Sequence, residues 1–338
     1  MSLALPLRAS PPQPLSAPLA FRRERLTDGA TALPALGGRL LGRAPGALAA
    51  ELIAPAGSVF DGWGNASGEQ HSHGGVRYAS DGAWLYGRIE IDERAVGLHA
   101  ASQRAYAELF EVVAANDCPN LLRVWNYLTD INLETDGVER YRQFNAGRQQ
   151  AFVDARRSAF EGAPAACALG TARGPLIVHF LAGRSVPIAI ENPRQVSAYR
   201  YPDAYGARSP TFSRAALADV GGQRCALFVS GTASIVGHQT LHAGDVRQQA
   251  EESLRNIATL RRLAGERAGR EFAAGEMVYT LYLRRASDLS IVREVFEREV
   301  GAASRGAREA VFLRADICRA DLLVEIEAHG FVNTGDTA

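Results

Sequence analysis

Met277–Leu289 reads MVYTLYLRRASDL, and Arg123–Asn132 reads RVWNYLTDIN. Each predicts a short apolar strand that leaves into a helical run. The flanks of the two stretches also correspond. Ahead of the first, Asp245 opens a helix with Gln248 three residues on, a capping-box spacing, and Val246, Ala250, Leu254, Ile257 and Leu260 form its apolar stripe. Ahead of the second, a helix starting at Asp92 carries Leu98, Ala101, Ala105, Leu109 and Val112 on one face and ends near Asn116. Strands are expected before these helices, at Ala226–Ser230 in one half and at Val76–Ser80 and Ala83–Ile91 in the other. Beyond the quoted stretches come helices over Ser287–Val300 and 137–160. Strands then follow over Ala310–Asp316 and Leu322–Glu327 in one half, Ala165–Thr171 and Leu176–Leu181 in the other. PLIVHFLAG, with Leu181, lies on DLLVEIEAHG, with Glu325. An order of strand, helix, strand, helix, strand, strand recurring after about 150 residues marks a duplication. The expected fold is α+β: two modules, about 80–190 and 205–332, each a mixed sheet backed by helices.

The remainder of the chain is divided accordingly. Residues 1–20 are expected to be a flexible arm, 21–200 an N-terminal segment plus the first module, and 201–332 the second module. The glycine-rich Gly57–Gly75 is expected to be a loop. Hydrophobic residues make up 47% and charged residues 22% of the 338, an ordinary globular composition with room for a large core. Net charge is zero, which argues against nucleic acid as a partner, because phosphate binding needs a basic face. All 37 basic residues are arginines, which removes Schiff-base and P-loop chemistry and leaves the guanidinium as the only permanent cation for anions. Cys118, Cys167, Cys225 and Cys318 are widely spaced and read as reduced thiols of a cytoplasmic protein. No apolar run is long enough to cross a membrane. His71 and His73 have no partners at metal-ligand spacing, and no nucleotide-binding glycine motif or GxSxG occurs, so neither a metal nor an organic cofactor is expected.

SPTFSRA at Ser209–Ala215, LFVSG at Leu227–Gly231, the Asp245 helix, VYTLYL and the closing LLVEIEAHG together resemble the RidA/YjgF family. That resemblance implies RidA/YjgF-like (chorismate-mutase-like) modules with ligand sites where modules meet. It also implies an arginine partner at position 310 for imine hydrolysis, and this chain has Ala310 there. Over greater length, NYLTDIN, RYRQFNAGRQQAF, ENPRQVSAYRYPDAYGARSPTFSRA, FVSGTASIVGH and ADICRADLLVEIE resemble the chorismatase family. Members cleave chorismate without a cofactor to pyruvate and a ring product. For this chain the resemblance implies 3-hydroxybenzoate. The alternatives are 4-hydroxybenzoate or 3,4-dihydroxycyclohexa-1,5-dienoate, a RidA-like imine or enamine deaminase, and a non-catalytic small-molecule-binding module.

Pyruvate release from chorismate requires a proton on the enolpyruvyl methylene and cations for two carboxylates. Alternation in LLVEIEAHG puts Leu323, Glu325 and Glu327 on one face and Leu322, Val324 and Ile326 on the other. By pattern alone Glu325 reads as a solvent-facing strand residue; the resemblance makes it the acid. It likewise implies Arg148, Tyr205, Arg208 and Arg214 as substrate-binding residues, and Gly231 and Cys318 as the pair found in members that make 3-hydroxybenzoate. In those members the ring 4-hydroxyl captures the cation and an arene oxide opens; members releasing the diene diol carry a bulkier residue at the glycine. The first-half counterpart of Glu325 is His179, so one site per chain is expected, between the modules. His238 and His242 could touch substrate or be structural. A monomer or a RidA-like trimer is compatible with the duplication.

Overall fold

The computed structural model describes residues 17–26, 32, 35–42, 46–65 and 68–335. The N-terminal segment forms β1 (Phe21–Leu26), β2 (Gly37–Gly42), β3 (Glu51–Ala54) and β4 (Ser58–Trp63). The first module contains β5 (Gln70–His73), β6 (Val76–Ser80), β7 (Trp84–Ile91), α1 (Leu98–Ala115), β8 (Asn120–Thr129), the ribbon β9 (Glu134–Thr135) and β10 (Val138–Glu139), α2 (Arg140–Asp154), β11 (Ala165–Thr171) and β12 (Leu176–Gly183). After β13 (Ile188–Ile190) and an irregular stretch, the second module contains β14 (Ala215–Asp219), β15 (Arg224–Ala233), the ribbon β16 (Ile235–Val236) and β17 (Gln239–Thr240), and α3 (Val246–Ala268). It closes with β18 (Val278–Leu283), α4 (Leu289–Val300), α5 (Arg305–Arg308), β19 (Val311–Arg314) and β20 (Val324–Asn333).

The repetition is visible in the strand order. The first sheet runs β11-β8-β12-β7-β6-β5 and the second β13-β14-β15-β20-β18-β19-β3. Laying β6, β7, β8, β11 and β12 on β14, β15, β18, β19 and β20 reproduces every neighbour. In each sheet the pair that brackets the second helix, β8 with β11 and β18 with β19, is parallel, and the rest of the shared pairs are antiparallel. A parallel pair needs a crossover, and α2 and α4 supply it. Both the α+β class and the tandem arrangement are therefore present.

Three cores hold the molecule. One lies under α1 and α2, with Leu109, Val124 and Phe180, and one under α3 and α4, with Leu254, Leu281 and Phe296. The third lies between the two sheets, where Trp125 and Cys167 of the first meet Phe228 and Tyr282 of the second. The three-stranded sheet β1-β4-β2 adds Leu41, Val59 and Trp63 to this central core. Both faces of each module's sheet are thus covered, which at about 25 cal/mol per Å2 of apolar area makes burial the main stabilising term.

Several expectations are corrected. Residues 1–16 of the expected arm lie outside the described residues, but 17–20 are fixed: Leu19 is fully buried and its N–H donates to the Val220 carbonyl at 2.8 Å. Gly57–Gly75 contains β4 and β5 rather than one loop. Its glycines mislead because some serve packing: a Cβ on Gly62 would stand 2.8 Å from the Phe60 ring. The helix expected from Asp92 starts as a short 3-10 turn and becomes α1 only after Gly97, whose φ of 78° breaks the run. The helix expected over 137–160 is confined to α2, because the backbone ahead of it folds into the β9–β10 ribbon. The Asp245 cap is as expected, accepting from the Gln248 N–H at 3.0 Å.

Candidate active site

Strand β20 supplies two carboxyl groups. Val324, Ile326 and Ala328 point into the core under α3 and α4, so Glu325 and Glu327 point toward the first module. They are 3% and 4% exposed. The solvent-facing reading of Glu325 from alternation alone is therefore overturned: a second sheet stacks on that face.

The two carboxyls are treated differently. Glu327 lies 2.8 Å from Arg39 of β2 and 2.5 Å from Arg123 of β8. Burial would raise its pKa, but these two guanidinium groups hold it down at about 2. Glu325 has no ion pair among the described residues. Burial, and then the Glu327 charge, push it up to about 8 against the pull of Arg123. At neutral pH Glu325 carries a proton.

Glu325 opens into a cavity of about 240 Å3 at the module boundary. Of the first module, the ribbon β9–β10 contributes Glu139 and helix α2 Tyr141 and Arg142; the inter-module stretch contributes Tyr205 and Arg214, and the loop before β20 Cys318 and Arg319. A one-residue bulge at Ser230–Gly231, between the Val229 and Thr232 pairings of β15 with β20, brings Gly231 against Glu325. A Cβ there would overlap Glu325 Oε1 and stand 2.7 Å from its Cδ and 2.9 Å from Cys167 Cβ. Gly231 makes room for the carboxyl itself, a tighter constraint than room beside a ring. Burial and the nearby Glu325 push the Cys318 thiol up to about 12, so it stays neutral.

The cavity is also cationic. The Arg214 guanidinium donates to the Val196 carbonyl and the Tyr201 hydroxyl, both at 2.7 Å, while its buried Nε has no partner. Arg319 stacks 4.1 Å above the Tyr205 ring and donates to the His238 carbonyl at 2.9 Å, while its buried Nη2 has no partner. Neither arginine has a carboxylate within ion-pair distance among the described residues. Buried donors left open in this way favour a bound carboxylate. The Tyr205 hydroxyl lies 3.1 Å from His238 Nδ1.

Glu325, Gly231, Cys318, Tyr205 and Arg214 are thus brought together at one cavity. Arg148 is buried behind its wall: it donates to Asn145 Oδ1 at 2.8 Å, stacks 4.8 Å from Phe144, and its charge acts on Tyr141. Arg208 is exposed, donates to Gln149 Oε1 at 3.3 Å, and borders the adjoining surface depression with Arg142. His242 lies 3.7 Å from Glu252, in the contacts that bind the inter-module stretch to α3. His179 is buried and its Nδ1 is 2.9 Å from the Tyr86 hydroxyl. Arg319, Tyr141, Arg39 and Arg123 were not found from sequence. Arg319 directly follows Cys318 and could have been noticed; Arg39 sits in a segment with no motif at all.

A buried carboxyl with a raised pKa, at a cavity lined by the arginines Arg142, Arg214 and Arg319 between duplicated α+β modules, can hand a proton to an anionic substrate, the chemistry of a cofactor-free acid-catalysing enzyme. The family model of the N-terminal part of FkbO/Hyg5-like chorismatases matches residues 61–182. A 3-hydroxybenzoate synthase of Streptomyces hygroscopicus is 39% identical over 278 residues, 78% of this chain and 78% of that one. A chorismatase of Streptomyces rapamycinicus is 40% identical over 271 residues, 77% of this chain and 78% of that one. A chorismatase crystal structure matches with a TM-score of 0.79 at 30% identity, covering 92% of this chain and 98% of that one. The chain belongs to the chorismatase family.

Proposed function

We propose that this enzyme converts chorismate to 3-hydroxybenzoate and pyruvate, with Glu325 as the acid. The observation that carries this reading is the protonated Glu325 carboxyl lodged against Gly231 in an arginine-lined cavity. Glu325 gives its proton to the terminal methylene of the enolpyruvyl group, which becomes a methyl, and the ether carbon becomes an oxocarbenium ion. The ring 4-hydroxyl oxygen attacks C3 from the side opposite the ether. The C3–O bond breaks, its electron pair stays on the ether oxygen, and pyruvate leaves as the ketone. The hydroxyl proton returns to the Glu325 carboxylate, and a 3,4-arene oxide remains. Its C4–O bond opens and transfer of the C3 hydrogen restores the aromatic ring with the oxygen on C3. Atoms balance without water, and the buried Glu325 and the neutral Cys318 thiol suit this path better than hydrolysis would.

The guanidinium groups of Arg319 and Arg214 are the donors for the substrate carboxylates, with Tyr205 beside them. Arg148 orients Tyr141 from behind, and Arg208 stands at the adjoining depression, on the approach to the cavity. No described helix is long and apolar enough to cross a membrane. Free Cys118, Cys167, Cys225 and Cys318 suit a reducing cytoplasm, where we place the enzyme. The test is direct. Pure protein and chorismate should release pyruvate, read by a lactate dehydrogenase couple, in step with 3-hydroxybenzoate read by chromatography. Pyruvate without that aromatic product would refute the arene-oxide path, and no pyruvate would refute the activity.

A further inference from the structure

We propose that Glu327, clamped between Arg39 of the N-terminal sheet and Arg123 of the first module, is a positioning residue whose fixed negative charge keeps the reactive proton on Glu325. The inference rests on the reading of Glu325 as the acid and explains how that acid stays loaded.

The geometry follows from the strand. Positions 325 and 327 are two apart on β20, so both side chains enter the same water-poor space between the sheets. Two carboxyls in such a space do not both ionise, and the one with the cations does. Arg39 and Arg123 both bond Glu327. Arg39 is fixed in turn by Asp61 at 3.1 Å, and Asp61 by Arg23 at 2.6 Å. Arg23 also donates to the Tyr279 carbonyl at 2.6 Å. The chain Arg23, Asp61, Arg39, Glu327, Arg123 therefore alternates in sign and joins the N-terminal sheet to both modules. Its carboxylate on β20, Glu327, stands two positions from Glu325 on the same strand face.

The other groups near Glu325 leave this assignment intact. They are Cys167 on β11, Tyr141 on α2, Cys318 ahead of β20 and Tyr282, its cross-strand partner on β18. Burial raises the pKa of all four, so they stay neutral. Arg142, Arg214, Arg319 and Glu139 also line the cavity, and none of them bonds Glu325. Arg123 is the opposing charge, and its bond is made to Glu327. Around Glu327 itself, Tyr127, Tyr282 and His329 are buried and uncharged.

The experiment is the pH profile of kcat/KM for pyruvate release in the full chain. In the native enzyme activity should fall above pH about 8, as Glu325 loses its proton. In Glu327→Gln, Arg123 is freed to pair with Glu325, and the limb should move to lower pH by at least about one unit, roughly a twofold loss at pH 7 and roughly a tenfold loss at pH 9 that both recover on acidification. Arg123→Gln removes the opposing charge and should move the limb to higher pH. A structural role for Glu327 would lower activity without moving either limb, and unmoved limbs overturn the proposal. Should neither variant fold, carbon-13 glutamate NMR of the native enzyme decides. One carboxyl titrating near 8, lost in Glu325→Gln, beside one ionised throughout supports the proposal, and any other pattern overturns it. If Glu325→Gln is itself fully active, the acid assignment fails instead, and the two failures stay distinct.

Discussion

At the residue scale the proposed chemistry turns on Glu325, a buried carboxyl whose pKa burial and the Glu327 charge push up to about 8. Glu325→Gln should lower pyruvate release by at least about two orders of magnitude, the scale of a general acid, with the far-ultraviolet dichroism unchanged. The same substitution has a stability signature. Glu325 has a folded pKa of about 8, above the ordinary value of 4.5. Between those pH values the folded state holds a proton that the unfolded state releases, so native stability falls as pH rises through that window. Glutamine removes this dependence. The melting temperature of Glu325→Gln relative to native should therefore climb from pH 5 to pH 8, and a constant difference would contradict the raised pKa. Glu327 does not confuse the result, because its folded pKa of about 2 acts only below the window. Gly231→Ala tests the packing: its Cβ would collide with the Glu325 carboxyl, so kcat should drop at least about tenfold with KM changing less.

At the element scale the site is a product of strand alternation plus one bulge. Alternation along β20 aims both carboxyls inward, and the bulge in β15 sets Gly231 opposite them. The inter-module stretch is held by contacts outside the cavity, such as Arg194 with Glu252 on α3 and with Asn256 Oδ1 at 2.8 Å. These contacts carry Tyr205 and Arg214 to the cavity mouth. Helix α3 itself depends on its cap. Asp245→Ala removes the oxygen that accepts from the Gln248 N–H and should cost about 1 kcal/mol, lowering the melting temperature by roughly 2 °C. Activity should be unaffected, since Asp245 is outside the cavity. A loss of activity with no change in melting would show that the cap serves the site.

At the scale of the whole molecule, the N-terminal segment completes the site as well as the fold. Trp63, Val59 and Leu41 close the core between the two sheets, and Arg39 reaches Glu327 from the same small sheet. The inner faces of both modules are then covered from within the chain, so we expect a monomer near 36.3 kDa by light scattering rather than a trimer of modules. A stable trimer would require an interface on the helical or edge surfaces.

The sequence by itself determined most helices and strands of the two modules, the duplication and the chemistry-bearing motifs. The reason is that 3.6- and two-residue periods, caps and the repeated strand–helix order are local properties. It also singled out Glu325, Gly231, Cys318, Tyr205 and Arg214, because they lie in contiguous, specific motifs of the second half. It missed the strands hidden in Gly57–Gly75, where glycine served packing, and it read alternation around Glu325 as exposure. Only the tertiary structure decided which face of β20 is dry, that Arg148 and Arg208 stand away from the cavity, and that Arg319 lines it. Only it joined Arg39 to Glu327 across 288 positions, the difference of their residue numbers. Burial and charge pairing depend on which surfaces meet, and no local period encodes that.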